Sequence, residues 1–165
     1  MDRQYTRLDA ARKLVDDLIK AIPDEEEKRC AYVHLYGVGL MASLLALKRG
    51  FGRETAELAG IAGMLHDLLT YVDSAADGVE HAHPCADFAR EQVLDRLDCL
   101  TDAEKAMICS GIYNHSDKGE TGSDFDELVK DADCAQHALR NPMEDFFFNH
   151  PRVRRVVAEL TEREG

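Results

Sequence analysis

LAGIAGMLHDLLT, residues 58–70, carries an apolar run at helical spacing into the adjacent pair His66 and Asp67. Leu58, Ile61, Leu65, Leu68 and Leu69 recur every three to four residues, and Ala59, Gly60, Ala62 and Gly63 between them are small enough to let neighbouring helices approach closely. The pattern predicts a buried helix from about Glu54 to Thr70. Ionisable groups on such a helix cost several kcal/mol, as an order of magnitude, unless they are paired or hold a metal. His66 and Asp67 therefore need partners elsewhere in the chain.

Gly50, Phe51 and Gly52 form the turn into this helix. Upstream lies a helix expected from about Asp24 to Arg49, with Glu25, Glu26 and Glu27 near its positive end and His34 set among Tyr32, Val33, Leu40, Met41, Leu44, Leu45 and Leu47. Gly37 and Gly39 within it permit close packing. Before Pro23, residues Thr6 to Ile22 place Leu8, Ala11, Leu14, Val15, Leu18 and Ile19 on one face, and Thr6 with Asp9 makes a capping box.

Downstream, the polar connection Val72 to Glu80 reads as a surface loop leading into HAHP, residues 81–84. Helical spacing follows from Cys85 to Leu97, with His81 and His83 at its lip. A second capping box, Thr101 with Glu104, opens a helix carrying Ala106, Met107, Ile108, Ile112 and Tyr113 towards His115. Ser116 to Asp124 is a loop by composition. A helix through Phe125, Leu128, Val129, Ala132, Asp133, Ala135 and Leu139 then ends at Asn141 and Pro142. The tail contains Phe146 to Phe148, suited to core packing or a dimer interface ahead of covering a substrate pocket. Beyond them a helix carries Val153, Val156, Val157 and Leu160, its arginines expected in solvent. No stretch alternates strictly enough for a strand. The fold class is all-α, a compact helical bundle, and 165 residues suit one domain spanning 1–165 with a motif-bearing core at about 30–140 and a helical extension at about 142–163.

The formal charge of −12 argues against a nucleic-acid polymer or an anionic membrane as partner, since either demands clustered lysine and arginine. An anionic substrate needs a local positive centre instead. Five scattered cysteines, Cys30, Cys85, Cys99, Cys109 and Cys134, form no CxxC pair, and no apolar amino-terminal segment resembles a signal peptide or membrane span. A reducing cytoplasm is the expected setting, with the cysteines acting as small hydrophobes.

His34, His66, Asp67, His81, His115 and Asp133 come from successive helices or helix edges. Imidazole nitrogens and carboxylates together suit iron, manganese, zinc or nickel, and the lack of a cysteine cluster argues against a structural zinc knuckle. The series His34, then adjacent His66 and Asp67, then Asp133 resembles the HD-domain superfamily of metal-dependent phosphohydrolases over about residues 30–140. The distal motif is LVKDADCAQHAL, residues 128–139, in which the family's alanine followed by aspartate identifies Asp133; Asp131 reads as a supporting or solvated acid.

The resemblance implies that His34, His66, Asp67 and Asp133 ligate a metal. It further implies, for members with two metals, that Asp67 bridges them while His81 and His115 serve the second ion. The register of HAHPCADF favours His81 over His83, and IYNHSDKGE offers His115. One or two divalent or transition-metal ions are expected, iron or manganese being favoured. Many relatives carry an arginine soon after the first histidine and a glycine and lysine after the HD pair. This chain has Tyr36, Gly37 and Val38, then Leu68, Leu69 and Thr70. Lys118 is the candidate replacement as phosphate-binding cation and, with Asp67, the candidate catalytic residue; Arg140 is a second choice. His137 and His150 read as surface or core-edge residues, and Cys85 and Cys134 should lie near the metal.

The activity implied is hydrolysis of a small phosphomonoester or phosphoanhydride, nucleotide-like, by metal-bound hydroxide. Two alternatives keep the same residues: an HD-fold di-iron oxygenase, and a non-catalytic metal- or ligand-binding module. A small phosphorylated substrate and a homodimer are the expected partners.

Overall fold

Thr6 opens the first helix through its side chain, which accepts from the Asp9 backbone N–H while the Asp9 carboxylate accepts from that of Thr6. In this computed structural model, which describes residues 6–76, 78, 80–141 and 148–161, α1 is Arg7–Lys20 and buries Ala11, Val15 and Ile19. Arg7 fastens it to its neighbours by pairing with Glu57, Nε to Oε2 at 2.8 Å, and with Glu104.

Helix α2 is Glu25–Lys48, capped by Asp24, whose carboxylate accepts from Glu27 N–H. By length and composition it would suffice to cross a membrane, where no such span is expected from the sequence. Much of that hydropathy faces the protein interior, where Ala31, Leu35, Val38, Ala42, Leu45 and Ala46 are buried. Val33, Leu40, Leu44 and Leu47 are exposed. The turn into α3 requires left-handed backbone at Gly50, φ 76°, and Gly52, φ 83°.

Helix α3 is Gly52–Leu65, with every residue from Leu58 to Leu65 buried. Its small residues do what the sequence implied: a Cβ on Gly63 would lie 2.7 Å from both Cα and N of Gly39 on α2. The two backbones are in contact, so no side chain fits between them.

The expected single helix to Thr70 is interrupted. It stops at Leu65, His66 and Asp67 form a turn with Asp67 at φ −119°, ψ 13°, and a short α4 runs Leu68–Val72. Adjacent side chains on an unbroken helix diverge by about 100°. The break lets both members of the pair face one point.

A 3-10 turn at Ser74–Ala76 precedes α5, Ala82–Gln92. This helix begins three residues before its expected start, because Pro84 falls in the first turn, where a missing N–H costs no helical hydrogen bond. It also ends before Leu97, a 3-10 turn Leu94–Arg96 replacing its last part. Helix α6, Asp102–Asn114, starts with the Thr101–Glu104 box, and α7, Asp124–Arg140, with a further box of Ser123 and Asp126. Helix α8 is Pro151–Thr161.

Helix α3 lies at the middle, with α2, α1, α6 and α7 packed on it and α5 against α6. No strand occurs among the described residues, and the all-α helical bundle expected from the sequence is the observed fold. The expected extension at 142–163 is described only in part; Phe146 and Phe147 lie outside the described residues, and Phe148 is exposed.

Helix α8 rests on α7 through an ion cluster where the sequence suggested solvated groups. Asp131 is buried, not solvated, and accepts from Arg49 Nη2 at 2.8 Å, Arg152 Nη1 at 3.0 Å and Arg155 Nη2 at 2.7 Å. Arg152 is itself buried and also donates to Glu127 at 2.6 Å. Three guanidinium groups converging on one carboxylate offset its desolvation, which a lone acid on that face of α7 would not survive as an ion.

Candidate metal centre

The six residues singled out in the sequence converge. Asp67 lies at the centre, and its two oxygens face different partners. Oδ2 is 3.4 Å from Nε2 of His34 and 3.2 Å from Nε2 of His66. Oδ1 is 3.1 Å from Nε2 of His81 and 3.1 Å from Nε2 of His115. Asp133 approaches only the first group, its Oδ1 lying 3.6 Å from His34 Nε2 and 3.5 Å from His66 Nε2.

Each imidazole is held from behind. Nδ1 of His66 donates to the Gly63 carbonyl at 2.8 Å, that of His81 to Gly78 at 2.6 Å and that of His115 to Ile112 at 2.6 Å. His34 Nδ1 donates to Gln136 Oε1 at 2.7 Å, and the Gln136 amide nitrogen is committed to the Val33 carbonyl, which fixes that orientation. With the proton on Nδ1, every Nε2 turns a lone pair towards the carboxylates. Lone pairs on nitrogen and oxygen pointing at one another repel unless a cation stands between them.

That arrangement fits a divalent metal. His34 Nε2, His66 Nε2, Asp67 Oδ1 and Asp133 Oδ1 are buried and make no hydrogen bond. One donor atom each from His34, His66 and Asp133 lie within 4.8 Å of one another, as do donor atoms from His66, Asp67 and His115. Buried polar atoms of this kind are strongly disfavoured unless something binds them.

Electrostatics give the same demand. Burial works against ionised Asp67, yet the charge of His66 and the nearness of the His115 and His34 rings hold its carboxyl well below the usual range. Asp133 is likewise held low, its burial overcome by Lys118 and His66. Burial opposes a proton on His66, but the two carboxylates raise it to about 10. The buried Asp133 and the partly exposed Asp67 thus call for a cation at this point, supplied by a proton on His66 or by a metal ion. His115, where burial dominates, is pushed down.

Other expectations are sharpened. His83 faces outward and stacks on Tyr113, ring centroids 3.6 Å apart, so His81 is the member of HAHP that reaches Asp67. Lys118 pairs with Asp133, Nζ to Oδ2 at 2.6 Å; burial opposes its charge, but Asp133 raises its pKa above the usual lysine range. Its loop is anchored, since Arg152 donates through Nε and Nη2 to the Lys118 carbonyl at 3.1 and 3.0 Å. Cys85 is buried, its thiol pushed up to about 12 by burial and by Asp67, and Cys134 lines the cavity beside the centre.

The sequence suggests His137 as a surface or core-edge residue. Its Nε2 instead lies 3.3 Å from Asp133 Oδ1 and its ring 4.6 Å from that of His34. Burial pushes it down to about 4 despite Asp133 beside it. The signal was present: Asp133 and His137 are four residues apart and share a face of α7.

Two cavities meet at the centre. One, of about 300 Å³, is bordered by Asp67, His115, Lys118, Cys134, His150 and Val153. The other, of about 450 Å³, reaches His34 and Asp67 from the side of Tyr71, Thr70 and Arg140.

Fold and centre together define an all-α protein holding a histidine and aspartate site suited to a divalent metal. A family model described as HD domain matches residues 31–138, and the chain belongs to that family, one mostly of metal-dependent phosphohydrolases. No curated protein and no solved structure matches it.

Proposed function

We propose that the chain is a metal-dependent phosphohydrolase acting on a small, nucleotide-like phosphomonoester or phosphoanhydride. The observation that carries this reading is the division of Asp67, one oxygen towards His34 and His66 and the other towards His81 and His115. His34, His66 and Asp133 would hold one ion, His81 and His115 a second, and Asp67 both. Iron or manganese suits this mixture of imidazole and carboxylate best. When bound, such ions make water acidic enough to supply a nucleophile near pH 7 and neutralise charge on a phosphoryl group.

The chain's own residues supply the rest. Lys118 brings a positive charge to the cavity wall and offsets a protein surface that repels anions. Asp133, hydrogen-bonded to Lys118, sets where that ammonium lies. The carbonyls behind His66, His81 and His115 keep those imidazoles in the metal-binding tautomer.

Protein reconstituted with Fe(II) or Mn(II) is expected either to release inorganic phosphate from p-nitrophenyl phosphate or a nucleoside monophosphate, or to release nucleoside mono-, di- or triphosphates from a dinucleoside polyphosphate. EDTA should abolish the release. Metal-loaded protein that hydrolyses none of them and instead consumes dioxygen would overturn the reading in favour of an oxygenase.

A further inference from the structure

Helix α8 and the residue before it lie outside the matched region 31–138, yet His150 and Val153 border the cavity beside the metal centre. His150 differs from the four central histidines in its proton. Its Nδ1 accepts a hydrogen bond from the Arg152 backbone N–H at 3.2 Å. A ring nitrogen that accepts carries no proton, so the neutral ring holds its hydrogen on Nε2. The four histidines facing Asp67 have the opposite arrangement, donating through Nδ1 and leaving Nε2 for a cation, whether a proton or a metal ion. They offer lone pairs to a cation, whereas His150 offers an N–H to an acceptor.

Lys118, on the same cavity, is held by the same residue. Arg152 donates its backbone N–H to His150 and its guanidinium to the Lys118 carbonyl, and is itself tied to Asp131 and Glu127. Burial and the charges of Arg152 and Lys118 push the His150 pKa down, so the neutral donor form prevails near pH 7. The cavity therefore has two chemically distinct sides: a lone-pair side around Asp67, and a donor side of His150 Nε2–H and the Lys118 ammonium.

We propose that His150 and Lys118 form an anion-binding wall that receives the phosphate group of the substrate. This places a specificity element on the C-terminal segment, beyond the family core. That segment supplies the hydrogen-bond-donating character missing after His34 and after Asp67, while Lys118 within the core supplies the positive charge. The assignment of the anion to a substrate rests on the phosphohydrolase reading; the anion site itself does not.

The test uses the full chain loaded with Mn(II) and inorganic phosphate as the probe, followed by calorimetry at matched metal content. Losing one hydrogen bond to a charged group weakens binding by about tenfold. His150→Ala should therefore raise the phosphate Kd about tenfold without changing the metal bound per chain, and His150→Gln, which keeps an N–H donor, should recover part of the loss. A Kd for His150→Ala within twofold of wild type would overturn the wall. Weakened phosphate binding in His150→Ala, with no phosphoester turned over by wild type, would uphold the wall and overturn the hydrolase reading. Turnover by wild type with unaltered phosphate affinity in His150→Ala would do the reverse.

Discussion

Asp67→Asn is expected to lower metal-dependent phosphoester turnover by roughly a thousandfold while leaving the helical fold intact. Asparagine matches aspartate in shape but carries no charge and presents only one oxygen. The other position becomes an amide nitrogen, a donor where two imidazole lone pairs already stand 3.1 Å away on one side or 3.2 and 3.4 Å away on the other. Such a group serves one ion at most. The turn that carries Asp67 takes no cap from its side chain, so helix content should not change. Phosphate release from reconstituted protein, read beside far-ultraviolet circular dichroism, checks both halves. Activity at the wild-type level would show that the proposed bridging carboxylate is not needed.

The second large effect is expected on stability. Gly63→Ala places a methyl 2.7 Å from Cα and N of Gly39 and 2.9 Å from the Val38 carbonyl carbon, all of them backbone atoms. No side-chain rotation relieves these contacts, so α2 and α3 must separate. Overpacking at such a crossing costs about 2–3 kcal/mol. For a chain of this size that corresponds to a melting temperature lower by about 4–12 °C. The carbonyl of Gly63 also accepts the Nδ1 proton of His66, and His34 projects from the displaced α2. Metal affinity should therefore fall together with stability. Thermal unfolding checks the first effect, and an unchanged midpoint would show that the helix crossing tolerates a methyl.

These two sites differ in how they could be read beforehand. The small residues Gly60 and Gly63 announced a close helix crossing, and their partner Gly39 was visible on the neighbouring helix. The turn at His66 and Asp67 was not, because Leu68 and Leu69 continue the apolar spacing and local periodicity holds no trace of a break imposed by the site. Asp131 and Asp133 illustrate a further limit. Two positions apart on one helix, they point roughly 200° away from each other. The family resemblance assigned Asp133 to the metal, and the structure does place it beside His34 and His66. Nothing in the sequence showed that Asp131 would instead be buried under Arg49, Arg152 and Arg155, since two of those arginines come from a helix that reads as solvated on its polar face. The four-residue spacing of His137 from Asp133 carried a signal that its surface or core-edge reading passed over. The position of His150 was not legible, because it depends on how α8 docks on α7, a contact made by the Asp131 ion cluster as well as by Val153 against Cys134 and Ala138.

The division of Asp67 between two pairs of histidines is tested most directly by counting metal. Protein without a polyhistidine tag, purified without added metal and then reconstituted with Fe(II) or Mn(II), should contain close to two ions per chain by elemental analysis after free metal is removed. One ion or none would contradict the two-ion arrangement and leave His81 and His115 with a role other than holding metal.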